Sequence, residues 1–489
     1  MIEFSNINFR YAGGTEAGGL VNINLIIPDG QVILLCGQSG CGKTTLTRLV
    51  NGLIPNYYEG KLSGEVLLDG KNISSLPLYE TAKYVGSVFQ NPRTQFFTVD
   101  STSELAFGCE NQGLPKEEII QRVKSTAKQF DMDNLLGKNI FSLSGGEKQK
   151  IAFASVYAMN PDIFLLDEPS SNLDGDSIRD LKNYLRILKQ QGKTILIAEH
   201  RLYYLLDIAD RIVYLADGKI EKIYTPQEFR SLSGATRKHM GLRTTDIQDV
   251  HPISYQRTFS RPILTVKDVS LFYKKHPVLE HISLQASKGD IIGVVGPNGA
   301  GKTTFLRTLC GLHKEFTGCF YWREQPQKET ERMKRSYMVM QDVNYELFAD
   351  SVEAECSFGI QGSSPELVEK TLDELGLLTV RDRHPNTLSG GQKQRVAVAV
   401  SMICGKEVLV FDEPTSGLDY DSMEQVSGLI RELSKDKVIF VVTHDYEFVC
   451  QTCTRLIRFD HHTMTNDILL SQENEATILS LMGLGRDER

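Results

Sequence analysis

The chain lacks any apolar run approaching the ~20 residues that a membrane-spanning helix needs; its longest, such as Val438-Ile439-Phe440-Val441-Val442, end far sooner. It also lacks a basic excess. Lys plus Arg number 54 against 62 Asp plus Glu, and the formal net charge is −8, which argues against a nucleic-acid coat protein and a polybasic membrane anchor. A disulfide framework is missing too. The 9 cysteines are odd in number and scattered mostly through apolar strings, the pattern of buried reduced thiols. Cys450 and Cys453 form a lone C-x-x-C with no second pair to complete a zinc site, and His461-His462 reads as a solvated pair. The opening Met1-Ile2-Glu3-Phe4-Ser5-Asn6 shows no basic segment followed by an apolar one, so no signal peptide is expected and the expected compartment is the cytosol.

What is present describes a globular protein. Hydrophobic residues make up 41% and charged residues 24% of 489 positions, too many for one ordinary core, so at least two domains are expected. The chain also repeats itself. Gly37-Gln38-Ser39-Gly40-Cys41-Gly42-Lys43-Thr44 returns as Gly296-Pro297-Asn298-Gly299-Ala300-Gly301-Lys302-Thr303, an offset of 259. Leu143-Ser144-Gly145-Gly146-Glu147 returns as Leu388-Ser389-Gly390-Gly391-Gln392, and Leu165-Leu166-Asp167-Glu168-Pro169 as Val410-Phe411-Asp412-Glu413-Pro414, both offset by 245. His200 and His444 follow in the same order. The expected organisation is a first domain over 1–226, a surface linker over 227–260 with room for a short helix, a second domain over 261–460 and a tail over 461–489. Ile478-Leu479-Ser480-Leu481-Met482 in that tail fits a short docked helix.

In each repeat the glycine-rich loop lies between an apolar β-rich run, Val32–Leu35 or Ile291–Val295, and a helix-like stretch from Thr45 or Thr304. Strand, loop and helix are the context in which G-x-x-x-x-G-K-[ST] becomes a phosphate cradle. Glycines let backbone N–H groups converge on phosphate oxygens, and the helix N-terminus adds a favourable field. Lys43 and Lys302 suit β/γ-phosphate charge, and Thr44 and Thr303 suit magnesium. Ile163–Glu168 and Val408–Glu413 read as buried parallel strands ending in two carboxylates at the nucleotide crevice. Asp167 and Asp412 suit the magnesium shell, and Glu168 and Glu413 suit polarising the attacking water.

These motifs resemble the nucleotide-binding domain of ATP-binding cassette (ABC) proteins, twice over and across nearly the whole chain. The resemblance implies an α/β fold of two tandem P-loop NTPase domains, each with a RecA-like core and a helical subdomain. It implies ATP and Mg2+ as ligands, with Gln90 and Gln341 as Q-loop glutamines contacting magnesium and His200 and His444 as γ-phosphate switches. It further implies that the signatures Ser144-Gly145-Gly146 and Ser389-Gly390-Gly391 close in trans on the other repeat's nucleotide, in a head-to-tail pairing. Asn172-Leu173-Asp174 and Gly417-Leu418-Asp419 match its D-loop. Tyr11 and Tyr273 stand where a ring would stack on adenine, with strand packing as the alternative reading. Both sites keep their base and ligands and look hydrolytic. Cys41, where the second cradle has Ala300, is expected to make the protein sensitive to thiol reagents.

Beyond the Q-loop, Asn91-Pro92-Arg93-Thr94-Gln95-Phe96-Phe97 and Phe107-Gly108-Cys109-Glu110-Asn111, with counterparts from Gln341 to Phe348, look like the ATPases of energy-coupling factor (ECF) transporters. That resemblance implies import of a vitamin or metal ion through a transmembrane coupling subunit and a small substrate-binding membrane protein, at the cytoplasmic face of the cell membrane. Exposed Phe96, Phe97 and Phe348 are expected to dock on the coupling subunit, or else to fill the helical subdomain's own core. The alternatives are a tandem cassette acting on the ribosome, disfavoured by the short linker and acidic chain, and the ATPase of a sugar importer.

Overall fold

The computed structural model describes residues 1–12, 18–253, 261–360, 363–388 and 390–485. They divide into two units. The first comprises Met1–Leu173, Ser177–Asp246 and Asp419–Asp421, and the second Asp174–Asp176, Ile247–Leu418 and Ser422–Arg489.

The first unit holds two sheets. Strands β1 (Ile2–Tyr11), β2 (Leu20–Ile27), β4 (Gly60–Leu68) and β5 (Lys71–Asn72) form an antiparallel sheet in the order β2-β1-β4-β5. The larger sheet runs β10-β9-β3-β8-β7-β6, with β3 (Val32–Cys36) central, β6 (Val85–Val88), β7 (Ile163–Asp167), β8 (Thr194–Ala198) and β9 (Arg211–Ala216) parallel, and β10 (Lys219–Tyr224) antiparallel at the edge. Every residue of Val32-Ile33-Leu34-Leu35-Cys36 is buried, as a parallel strand covered on both faces requires. The alternation divides them: Ile33 and Leu35 join the cluster with Phe4, Ile23 and Leu46, while Val32, Leu34 and Cys36 join the one with Ile151, Phe164 and Leu185.

Helix α1 (Lys43–Val50) follows β3, with short helical turns α2 (Leu53–Asn56) and α3 (Leu78–Tyr84) after it. A helical subdomain of α4 (Ser101–Asn111), α5 (Lys116–Gln129) and α6 (Gly145–Ala158) lies between β6 and β7, and α7 (Gly175–Gln190) lies between β7 and β8. The sequence reads 227–260 as a surface linker, and its first part is not one. Helices α8 (Pro226–Arg230) and α9 (Gly234–His239) pack into the first unit, burying Phe229, Met240 and Leu242 in its core. Three large apolar side chains spread over fourteen residues show no period in the sequence, which is why this stretch looks polar. Thr244 and Thr245 are buried as well. Residues 254–260 of the expected linker lie outside the described residues.

The second unit repeats the plan. Strands β11 (Leu264–Tyr273), β12 (His276–Ala286), β14 (Phe316–Trp322) and β15 (Gln325–Pro326) pair as β12-β11-β14-β15. Strands β13 (Ile291–Val295), β16 (Ser336–Val339), β17 (Val408–Asp412), β18 (Val438–Val442), β19 (Arg455–Asp460) and β20 (Thr463–Leu469) pair as β16-β17-β18-β13-β19-β20. Its helices are α10 (Lys302–Leu309), α11 (Glu329–Arg335), α12 (Val352–Ser357), α13 (Pro365–Glu374), α14 (Gly390–Ile403), α15 (Tyr420–Ser434), α16 (Tyr446–Thr452) and α17 (Glu475–Leu481). Helix α17 is the short helix expected in the tail, docked through Ile478, Leu481 and Met482. Cys450 and Cys453 are buried free thiols, and His461 and His462 sit exposed between β19 and β20.

Phe229 is fully buried and meets Tyr224 edge to face at 5.5 Å. Phe229→Ala should therefore destabilise the first unit by about 3–5 kcal/mol, read as a lower midpoint in denaturant unfolding. A true surface linker would leave that midpoint unchanged.

Candidate nucleotide sites

The two glycine-rich loops are shaped by how closely they pass the neighbouring strand. Gly37 and Gly296 leave β3 and β13 at φ 147° and 139°, and a Cβ there would lie 2.2 Å from the Leu215 carbonyl oxygen and 2.0 Å from that of Phe459. No side chain fits such a position. Gly42 and Gly301, at φ 105° and 91°, end the loops and open α1 and α10. Each lysine then folds back over its own loop. Lys43 Nζ donates to the carbonyls of Gly37 at 2.9 Å and Gln38 at 3.0 Å, and Lys302 Nζ to those of Gly296 at 2.7 Å and Pro297 at 3.0 Å. Both lysines are buried, and burial holds the Lys302 ammonium below its usual range.

Residues between these landmarks sit as the motif requires. Ser39 N–H donates to Asp419 at 2.7 Å within the first unit, and Asn298 N–H to Asp174 at 2.9 Å within the second. Gly40 and Gly299 take φ 81° and 88°. Ala300 packs against its unit's core, and the Thr45 hydroxyl donates to the Gly18 carbonyl at 2.6 Å, while the backbone carbonyl of Thr304 accepts from Thr308.

Thr44 Oγ1 donates to Asp167 at 3.0 Å, and Thr303 Oγ1 to Asp412 at 2.8 Å. A hydroxyl and a carboxylate meeting at the mouth of a phosphate cradle are the hard oxygen donors that Mg2+ takes. Burial raises both aspartates above the ordinary carboxylate range, which the threonine hydrogen bonds partly offset. Among the described residues no group of three or more His, Cys, Asp or Glu is arranged to hold a metal alone.

Glu168 and Glu413 follow β7 and β17 in the left-handed region, at φ 43° and 55°. Their N–H groups donate to Ala198 at 2.8 Å and Val442 at 2.9 Å. The same turn brings each acid to its histidine: His200 Nε2 lies 3.5 Å from Glu168, and His444 Nε2 3.6 Å from Glu413. Burial drives Glu168 well above the usual glutamate range, with Asp167 adding like-charge repulsion. Burial, then the Lys43 charge, holds His200 well below the usual histidine range, so the ring is neutral at pH 7.

The remaining expected residues divide. Gln90 Nε2 donates to Glu168 at 2.6 Å, so the Q-loop glutamine meets the acid itself; Gln341 opens the matching loop after β16. Ser144 caps α6 in a capping box with Glu147, ahead of Gly145 and Gly146. Gly390 and Gly391 open α14, and Ser389 lies outside the described residues. Tyr273 is exposed, whereas the Tyr11 hydroxyl meets Thr45 at 3.1 Å and accepts from Arg48 at 3.0 Å, with its ring edge to face against Phe9. Tyr11 thus packs within its unit, and Tyr273 is exposed with Lys274 Nζ 5.6 Å over its ring.

Burial separates the phenylalanines, which the sequence left open, and overturns the expectation for Cys41. Phe96 is half-buried against the core, so Phe97 and Phe348 alone protrude, at 76% and 70% exposure. Cys41 is only 5% exposed, and burial raises its thiol against the opposing pull of Lys43, so it is shielded from thiol reagents. Two further residues carry no motif. Glu199 is buried and accepts from the N–H groups of His200 at 2.7 Å and Arg201 at 3.1 Å and from the Tyr204 hydroxyl at 2.9 Å, which fixes the histidine loop. Arg243, 2% exposed, adds positive field at His200. An acid preceding the histidine was the only signal available for Glu199, and Arg243 had none.

The family model described as "ABC transporter" matches residues 20–171 and 279–416. A proposed ABC transporter ATP-binding protein of Treponema denticola is 47% identical, covering 97% of this chain and 98% of that one. Another, from Methanosarcina acetivorans, is 32% identical over 96% of this chain and 90% of its own. In the crystal structure of the complex of archaeal ribosomal stalk protein aP1 and archaeal ribosome recycling factor aABCE1, a 23% identical chain matches with a TM-score of 0.65 over 98% of this chain and 92% of that chain. That likeness is one of fold.

Glu168→Gln and Glu413→Gln should each remove about half or more of the ATP turnover, and the pair should remove about 10²-fold or more, the scale of a general base. Steady-state phosphate release measures both. Under native labelling with a maleimide, exposed Cys319 should be modified well before Cys41, as read by peptide mass spectrometry.

Proposed function

Because the chain belongs to the ABC transporter family and its two domains are ATPases, we propose that it powers import of a small solute, a vitamin or metal ion, through separate ECF-type transmembrane subunits. In the first repeat Lys43 and the loop from Gly37 to Thr45 hold the phosphates. Glu168 takes the proton of the attacking water, and His200, kept neutral, faces the γ-phosphate. Lys302, the loop from Gly296 to Thr304, Glu413 and His444 do the same in the second. Tyr273 stacks on adenine in the second site, and Tyr11 borders it in the first. Mg2+, when bound, shields phosphate charge, and Thr44, Gln90 and Asp167, or Thr303, Gln341 and Asp412, would hold it.

One observation carries the import reading. An open groove of about 690 Å³ lies beside the Q-loop of the first unit, with Leu78, Phe89, Phe97, Phe107 and Met159 among its lining. Phe97 stacks on Phe107 at 4.9 Å with its outer face open. Its loop is held by buried Glu104, which accepts from the N–H groups of Phe97 at 3.1 Å and Thr98 at 2.8 Å. Glu355 holds the Phe348 loop the same way, at 2.7 Å from the N–H groups of Phe348 and Ala349. A rigidly presented aromatic beside an apolar groove suits a short amphipathic helix of a membrane subunit. No described helix of this chain is long and apolar enough to cross a membrane, so the spanning parts belong to partners.

Gentle detergent purification of the tagged protein should bring down small, very hydrophobic integral membrane proteins. Phe97→Asp with Phe348→Asp should lose them while basal ATPase activity persists. Recovery of ribosomal proteins and rRNA instead would replace this reading with the ribosome-acting alternative.

A further inference from the structure

The segments that follow the two cassettes carry a repeat of their own. Helix α9 ends in Met240-Gly241-Leu242, and α17 ends in Met482-Gly483-Leu484. Both glycines are left-handed, at φ 68° and 72°. Both turns make the same two hydrogen bonds: Gly241 N–H to Lys238 and Leu242 N–H to Arg237, Gly483 N–H to Ser480 and Leu484 N–H to Leu479. These are Schellman-type helix ends, and nothing in such a cap by itself requires a place beside a nucleotide loop.

Each one nevertheless has that place. In the first unit a Cβ on Gly241 would lie 2.4 Å from Gln38 Cγ, so the glycine backs directly onto the phosphate loop. The Gln38 amide reaches Asp421 at 2.8 Å, and the Gly241 carbonyl accepts from Tyr420 N–H at 3.3 Å. Lys238 lies 5.4 Å over the Tyr420 ring. In the second unit the close contact is between the cap and the turn. A Cβ on Gly175 would lie 2.5 Å from the Met482 carbonyl oxygen and 2.6 Å from that of Gly483. Met482 and Gly483 line one crevice with Asp174, Gly296, Pro297 and His444, and Arg458 donates to the Leu481 carbonyl. Tyr420 and Gly175 are equivalent positions, each directly after the aspartate that accepts from Ser39 or Asn298.

We propose that these two caps are positioning elements of the ATP sites: each wedges between its phosphate loop and the Asp174–Asp176 or Asp419–Asp421 turn and fixes the loop geometry. The segment after the first cassette and the tail after the second are thereby parts of the ATPase machinery. A displacement of the first segment reaches the phosphate loop through the Gln38 side chain, and one of the second reaches it through Gly175 and the neighbouring Asp174, which accepts from Asn298 N–H. This assignment rests on the ATPase activity alone and is independent of the import reading.

Two variants test it in the full-length protein. Gly241→Asn keeps a residue tolerant of left-handed φ but drives a Cβ into Gln38. Gly175→Ala pushes the turn off the second cap. Gly192→Ala is the control: Gly192 caps α7 with the same pair of hydrogen bonds at φ 72°, with nothing within 4 Å of its added Cβ. The expected result is a rise in KM for ATP of roughly tenfold in either cap variant, the scale of a sub-ångström misplacement, with kcat changed far less and melting temperatures matching the control. If a folded Gly241→Asn or Gly175→Ala raises KM no more than Gly192→Ala does, the caps are ordinary helix ends and the proposal is overturned. Should Gly175→Ala fail to fold, Gly241→Asn decides alone.

Discussion

The two phosphate loops exist because a backbone turns within van der Waals distance of the adjoining strand. At Gly37 and Gly296 even one added carbon would overlap a carbonyl oxygen. That closeness sends the loop back over the C-terminal end of β3 or β13, lets the lysine cap two of its own carbonyls, and starts α1 or α10 aimed at the same point. The parallel sheet delivers the other groups there, since β7 and β17, each one strand removed from β3 or β13, end in their acids at the same edge of the sheet. Charges are crowded in a buried place, and the proton affinities shift accordingly. The carboxyls rise, and His200 and Lys302 fall. Phosphate and a divalent cation are what such a set of mutually uncomfortable charges is suited to receive.

The repeats share this geometry and differ in how it is braced. His200 is preceded by Glu199, which ties the histidine loop together, whereas His444 is preceded by Thr443 and followed by Asp445, which accepts from Thr415 at 3.0 Å. Tyr11 is tied to Arg48 and Thr45, and Tyr273 is not buried at all. The first signature closes its helix with a Ser144–Glu147 box, and the second has Gln392 at the same place. Equivalent chemistry thus sits on unequal supports, so the two sites need not be equal in affinity.

Legibility in the sequence followed locality. The loops, the strand-end acids and the histidines are short strings whose residue types state their chemistry, and the structure brings each set together. Gln90 on Glu168 and Arg243 near His200 depend on residues far apart in the chain, which no spacing reveals. Phe96 and Phe97 are neighbours of identical type, and only packing tells which one is exposed. Cys41 looked reactive because its loop binds ligand, but the same tight loop buries its thiol. The stretch from Gln227 looked like a linker because its apolar residues are too sparse for a period, and the Met-Gly-Leu caps are too short to stand out until both are seen beside a phosphate loop.

The central claim is that each repeat forms a working ATP site. The direct measurement is the number of ATP molecules bound per chain by the Glu168→Gln, Glu413→Gln double variant with Mg2+, by equilibrium dialysis. Two should bind, with unequal affinities permitted by the different bracing. Saturation at one would contradict it.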